Sequence, residues 1–214
     1  MGDVLSGAVL SPLFDARRLW RGRARPATEG VPDGVPTGWT PLDAALPQGG
    51  WPAHALSEIL LPLDGVGELE LVLPALATLA TRERPAMVVA PPYLPGVDGW
   101  SARGVDMRHV TIVRASRGSD ALWAMEQCLR SSACGAVLGW PGEADERALR
   151  RLQVAAESGH TPGFLFRDRR HAAHASPAAL RIELETQPQP QWRVRKCRGG
   201  QPPAQAFVLA RAGA

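Results

Sequence analysis

The stretch Ser57–Leu76, SEILLPLDGVGELELVLPAL, constrains the fold more than any other part of the chain. It holds an apolar run, a loop with Gly65 and Gly67, and then Leu69, Val72, Leu73 and Leu76 at helical spacing. A strand, a glycine loop and a helix in that order form the frame of a phosphate-binding loop, in which backbone amides and the helix N-terminus face the anion. Such a loop continues with Lys, which neutralises phosphate charge, and then with Ser or Thr, whose hydroxyl holds magnesium. Glu68 and Leu69 stand at those two places. The chain keeps the frame of a nucleotide site and puts a carboxylate where a cation belongs.

The surrounding sequence alternates apolar runs with helical patterns. Strands are predicted at LSEILL (56–61), AMVVA (86–90), VTIVRA (110–115), CGAVLGW (134–140) and GFLFR (163–167). Helices are predicted over Val66–Arg82, Ser119–Ser131 and Glu143–Ser158. Pro74 lies inside the first helix, where it deletes a backbone donor and predicts a kink. Strands joined by helices imply an α/β fold with a mainly parallel sheet and right-handed crossovers. Toward the C-terminus LRIELE (180–185) and QWRVRKC (191–197) alternate apolar and polar residues, and AFVLA (206–210) follows. These three are predicted to extend the sheet as antiparallel strands.

At the N-terminus, Val4–Arg23 carries apolar and basic residues at imperfect helical spacing, and residues 24–36, ARPATEGVPDGVP, read as a linker. The predicted organisation is an N-terminal helical arm with linker, 1–36, and a core, 37–214. Leu19 and Trp20 among Arg17, Arg18, Arg21 and Arg23 give an amphipathic segment that needs a surface to cover, so Arg17, Arg18, Trp20 and Arg21 are candidate partner-binding residues.

Composition narrows the class. The chain has 214 residues, a formal net charge of +3 and no apolar run long enough to span a membrane. Its cations are 23 Arg and the single Lys196. Cys128, Cys134 and Cys197 form no CxxC pair, a usage expected of a reducing compartment. The N-terminus lacks the basic start of a signal peptide. A cytoplasmic location without membrane partners is the expectation.

The segments around the glycine loop add a resemblance. TGWTPLDAALPQGGWPAHALSEILLP (37–62) resembles the entry to the core of RecA-type recombinases. Residues 103–140 are similar to the RecA stretch that ends in the Walker B strand, and VRKCRGGQPPAQAFVL resembles the last hairpin of that core. Within that group, LWRGR, LDAALP, GVGEL, LPALA, DALWA and ACGAVL, in this order, look like the ImuA family. These are RecA-like, SulA-like accessory proteins of translesion DNA synthesis. The resemblance implies a RecA-like core and a non-catalytic role in SOS-induced DNA-damage tolerance. The implied partners are an ImuB-like polymerase-related protein and RecA, and through them a DnaE-type error-prone polymerase and the sliding clamp. The alternative within the same resemblance is a SulA-like inhibitor that binds the tubulin-like division protein. A residual ATPase is the enzyme alternative.

The residues argue against that last reading. Asp64, Glu68 and Glu70 surround the phosphate position, and reversing one charge about 4 Å from a phosphate costs several kcal/mol at an effective dielectric near 20. Pro91, Pro92 and Tyr93 stand where a RecA-type ATPase carries its activating Glu, and Gly139 and Trp140 stand where the Walker B Asp belongs. Asp64, Gly65, Gly67, Glu68 and Trp140 are therefore read as a vestigial site, with no cofactor, metal or catalytic residue. Asp64 and Glu68 are expected to serve the helix N-terminus, each contributing about 0.3–1 kcal/mol. Trp140 is expected to fill the space an adenine nucleotide would take.

Two basic clusters remain. Arg167, Arg169 and Arg170 lie in FRDRRHAAHA (166–175), where RecA proteins carry a DNA-binding loop, and His171 and His174 are spaced i, i+3. The segment is read as a solvated polar loop, with weak DNA contact as its functional alternative and a metal-binding pair as a remoter one. Arg193, Arg195 and Lys196 lie on QWRVRKC. Strict alternation places Arg193, Arg195 and Cys197 on one face, with Trp192, Val194 and Lys196 on the other. An exposed strand face and a phosphate-backbone or acidic-partner patch are equally consistent with that pattern.

Overall fold

The structure, a computed structural model, describes residues 34–115, 118–187 and 189–208. The chain divides after Val31 into two units, and the described residues belong to the second. The arm predicted over Val4–Arg23, with Arg17, Arg18, Trp20 and Arg21, lies outside them.

The elements in chain order are β1 (Gly34–Val35), α1 (Thr40–Ala45), β2 (Trp51–Pro52), β3 (Leu56–Leu61), α2 (Glu68–Leu79), β4 (Ala86–Val89), α3 (Val97–Ser101), β5 (Val110–Val113), α4 (Ser119–Arg130), β6 (Ala136–Gly139), α5 (Glu146–Ser158), β7 (Gly163–Asp168), β8 (Leu180–Glu185) and β9 (Gln191–Cys197). Seven strands form one sheet in the order β5-β4-β6-β7-β3-β8-β9, and β1 pairs with β2 in a separate small ribbon. This is the mixed α/β fold with a mainly parallel sheet that the alternation implies.

β3 is the hub. It pairs in parallel with β7 on one side, from Leu56 opposite Gly163 to Leu61 opposite Asp168, and with β8 on the other. All six of its residues are buried, as expected of a parallel strand covered on both faces. Alternate residues feed two core layers. Ile59 and Leu61 join Leu71, Val72 and Leu76 of α2, while Leu56 joins Met125 and Leu129 of α4 and Leu152 of α5. Full burial of a side chain such as Leu71 or Leu76 contributes roughly 1.5–3 kcal/mol.

Three local expectations change. β8 runs parallel to β3, so only β9 is antiparallel within the large sheet. The alternation of LRIELE misled because Arg181 and Glu183 are both buried, which makes β8 an interior strand. AFVLA supplies one bridge, Phe207 to Trp192, and its last residues lie outside the described set. α5 starts at Glu146, later than predicted, because the Asp145 carboxylate accepts from the Ala148 N–H at 2.7 Å and caps the helix there. Pro74 lies within α2, and its ring sits so close to Gly38 that a Cβ there would be 2.4 Å away.

β9 carries a further correction. Its register against β8 shifts between Arg181 and Ile182: Arg181 faces Lys196 and Ile182 faces Val194. The extra residue turns Cys197 to the core side with Trp192 and Val194. Strict alternation had placed it with Arg193 and Arg195, and a bulge is what breaks that period.

Candidate functional site

The loop between β3 and α2 stands at the carboxyl end of the central strand. Gly65 and Gly67 have φ of 83° and 93°. No side chain crowds Gly67, so glycine is needed there for its backbone conformation, not for space. These two residues build the turn that launches α2, whether or not an anion binds.

Glu68 opens α2 and is 3% exposed. Its Oε1 accepts from the Gly65 N–H at 3.0 Å. A backbone amide of the kind that would face a phosphate is thus taken by the chain's own carboxylate. Glu68 Oε2 is buried with no hydrogen-bond partner among the described residues. Two residues on, Glu70 accepts from Arg103 at 2.7 Å, which commits that cation to an ion pair.

The other walls come from the segments that follow β4 and β6. Ala90, Pro91, Pro92 and Tyr93 follow β4. Trp140 follows β6 and stacks on Phe166, with ring centroids 4.5 Å apart and planes 16° from parallel. It is buried, and its Nε1 has no hydrogen-bond partner among the described residues. Gly65, Gly67, Glu68, Trp100, Trp140 and the Pro91–Gly96 segment line a cleft of about 310 Å³. Around this end of the sheet Leu63, Tyr93, Leu94 and Val97 are 58–68% exposed.

A second charged centre lies inside the sheet, and the sequence reading missed it. Glu58 is fully buried on β3 and is held by two arginines. Arg167 Nη1 donates to its Oε1 and Arg181 Nε to its Oε2, both at 2.5 Å. Arg167 also donates to the Ala144 carbonyl at 2.6 Å, and Arg181 to the carbonyls of His171, Ala172 and His174. The signal was present: a Glu in the middle of a continuous apolar strand requires a buried cation.

This centre corrects one predicted DNA contact. Arg167 is buried and committed to Glu58, so it offers no guanidinium to a phosphate. Arg169 and Arg170 are exposed, and Arg170 pairs with Glu143. The segment read as a loop is a 3₁₀ turn, Arg169–Ala173, and His171 is buried within it. Burial first, then the charges of Arg167 and Arg170, hold the His171 imidazole below its ordinary pKa. His171 Nδ1 and His174 Nδ1 are 3.4 Å apart. Among the described residues no group of three or more His, Cys, Asp or Glu side chains is placed to hold a metal.

The second basic cluster is largely neutralised. Arg193 pairs with Glu185 and Arg195 with Glu183. Lys196 donates to the Ser176 carbonyl at 2.7 Å, and its burial lowers its pKa, helped by Arg198 and Arg181. No helix among the described residues is long and apolar enough to cross a membrane.

Comparison with known proteins adds a relative. The chain is 35% identical over 113 residues to the cell division inhibitor SulA of Edwardsiella piscicida, a match that covers 51% of this chain and 66% of that relative. The match thus spans just under two thirds of the relative's length, and over that stretch the chain is SulA-like. The crystal structure of SulA from Pseudomonas aeruginosa aligns with a TM-score of 0.44 at 23% identity, covering 52% of this chain and 96% of that one. No protein-family model matches the chain.

Proposed function

We propose that this SulA-like chain is a non-catalytic accessory protein of the DNA-damage response, which works by binding other proteins. The observation that carries the reading is Glu68, which occupies the cation position of the phosphate loop and satisfies a loop amide itself. A backbone amide already bonded to a carboxylate cannot also bond a phosphate, and the negative charge opposes the anion. Pro91, Pro92 and Trp140 at the remaining catalytic places support the same conclusion.

Two partner sets follow from two observations. The ordered ImuA-like motifs, from LWRGR in the arm to ACGAVL on β6, support translesion DNA synthesis, with ImuB and RecA as partners. The SulA relative supports division inhibition, with the division protein as partner, and of the two it is the reading the sequence comparison favours. The 113 matched residues leave nearly half the chain unaccounted for, whereas the ImuA-like motifs run through arm and core. We therefore place translesion synthesis first and division inhibition second. DNA contact through Arg169, Arg170, Arg193, Arg195 and Lys196 is a subsidiary proposal, restricted by the ion pairs that already hold most of them.

Co-purification of the tagged full chain with ImuB, RecA and the division protein decides between the two. Retention of ImuB or RecA supports the first reading, and its loss on deletion of residues 1–25 assigns the contact to the arm. Retention of the division protein alone, with filamentous growth on expression, replaces the first reading by the second. Retention of none of the three contradicts both.

A further inference from the structure

The cleft beside the glycine loop combines features that an emptied nucleotide site does not require. Its floor holds Glu68, whose side chain is nine-tenths buried or more and keeps one oxygen, Oε2, without a hydrogen-bond partner among the described residues. Trp140 also lines it, equally buried, with an unpartnered Nε1 donor. Leaving a buried polar atom unpaired costs about 1–3 kcal/mol, and more when the group is charged. The walls are formed largely by Leu73, the prolines of the Pro91–Pro95 segment and Trp100, together with the Glu70–Arg103 pair, in which the Arg103 charge is already matched. The rim carries Tyr93 and Leu94, both well exposed. A largely apolar cleft lined by a carboxylate with one unpaired oxygen complements an alkyl chain that ends in a cation.

We propose that the charge-reversed phosphate loop is a socket for a basic side chain, Arg first, presented by a partner protein. The guanidinium donates to Glu68 Oε2. Its aliphatic stem lies against the apolar walls, as the stems of long cationic side chains do. A main-chain carbonyl of the same partner segment accepts from Trp140 Nε1, and flanking apolar residues cover Tyr93 and Leu94. Arg is preferred to Lys because its donors form a rigid fork and it sheds water more readily. The inference deepens the proposed function and rests on the reading of this chain as a protein-binding module.

The test uses the full chain and observes the indole N–H resonance of Trp140 by NMR, assigned through Trp140→Phe. The probes are N-acetyl-argininamide, the uncharged N-acetyl-norleucinamide and Mg·ATP. The argininamide is expected to shift the Trp140 signal in a saturable way at millimolar concentration. Norleucinamide should bind about 10–100-fold more weakly, the loss expected for a charge-assisted hydrogen bond. Glu68→Gln keeps an oxygen to accept from Gly65 and should reduce argininamide affinity about tenfold or more without lowering the melting temperature appreciably. Equal binding of norleucinamide, or of argininamide by Glu68→Gln, overturns the socket, as does saturable binding of Mg·ATP at this signal.

Partner capture by the Glu68→Gln chain separates this inference from the reading beneath it. If wild type and variant retain a partner equally, the socket fails and the binding function stands. If argininamide binds wild type but no partner is retained, the socket stands and the assigned partners fail.

Discussion

Two buried glutamates, Glu58 and Glu68, lie ten residues apart on consecutive elements and are treated in opposite ways. Glu58 has both oxygens bonded to arginines, and those arginines have further carbonyl partners. Glu68 has one oxygen bonded to the loop amide and the other unpartnered among the described residues. Glu58 is surrounded by strands β7 and β8 in the sheet interior, while Glu68 lines a cleft. The difference separates a carboxylate used to join strands from one that serves a loop and borders a cleft. Around Glu68 the glycines and the helix start serve the fold whether or not an anion binds.

Substitution separates the two carboxylates. Glu58→Ala leaves two buried arginines without their anion and is expected to lower unfolding free energy by about 3–5 kcal/mol. A urea titration giving less than about 1 kcal/mol would show that the arginines find other acceptors and that Glu58 is not the junction described. Glu68→Ala removes only the contact to the Gly65 amide and should cost about 0.5–2 kcal/mol. If Glu68→Ala proves the costlier of the two, the contrast between a structural and an available carboxylate collapses. Glu70→Gln breaks a pair whose members are both partly exposed, so its effect on the same titration should stay below about 1 kcal/mol.

The pH dependence gives a finer test around Glu58. His171 packs beside Arg167, and its folded pKa lies below its ordinary value of 6.5 for the reasons given above. The unfolded chain therefore binds the proton more readily, and stability rises with pH through that range. The His171 contribution is complete above about pH 6.5 and is lost as pH falls toward the lower folded value. His171→Gln should flatten this part of a plot of melting temperature against pH. An unchanged slope would assign it to other groups, such as Glu126, whose pKa is lowered chiefly by the hydrogen bond from Arg151 and whose contribution is lost at more acid pH.

The fold's centre was legible because one physical cause dominates there. Apolar runs such as LSEILL and AVLG, joined by helical patterns, admit little besides a covered parallel sheet. The glycine loop was legible because positive φ at Gly65 and Gly67 needs glycine. The parallel course of β8 was hidden by long-range pairing: Arg181 and Glu183 look like solvent-facing residues until Glu58 and Arg195 are brought to them. The bulge in β9 has no local sequence mark, so the side of Cys197 could not be read from alternation. At the site, the absence of Lys and Asp was plain in sequence. The buried, half-bonded state of Glu68 and the burial of Trp140 depend on packing across three strands and became visible only in the fold.

We propose that this frame does not bind nucleotide, because Glu68 stands at the cation position and takes a loop amide itself. Isothermal titration of the full chain with Mg·ATP tests it most directly. The account predicts no saturable heat up to millimolar nucleotide and no release of phosphate. Micromolar binding accompanied by turnover would contradict it.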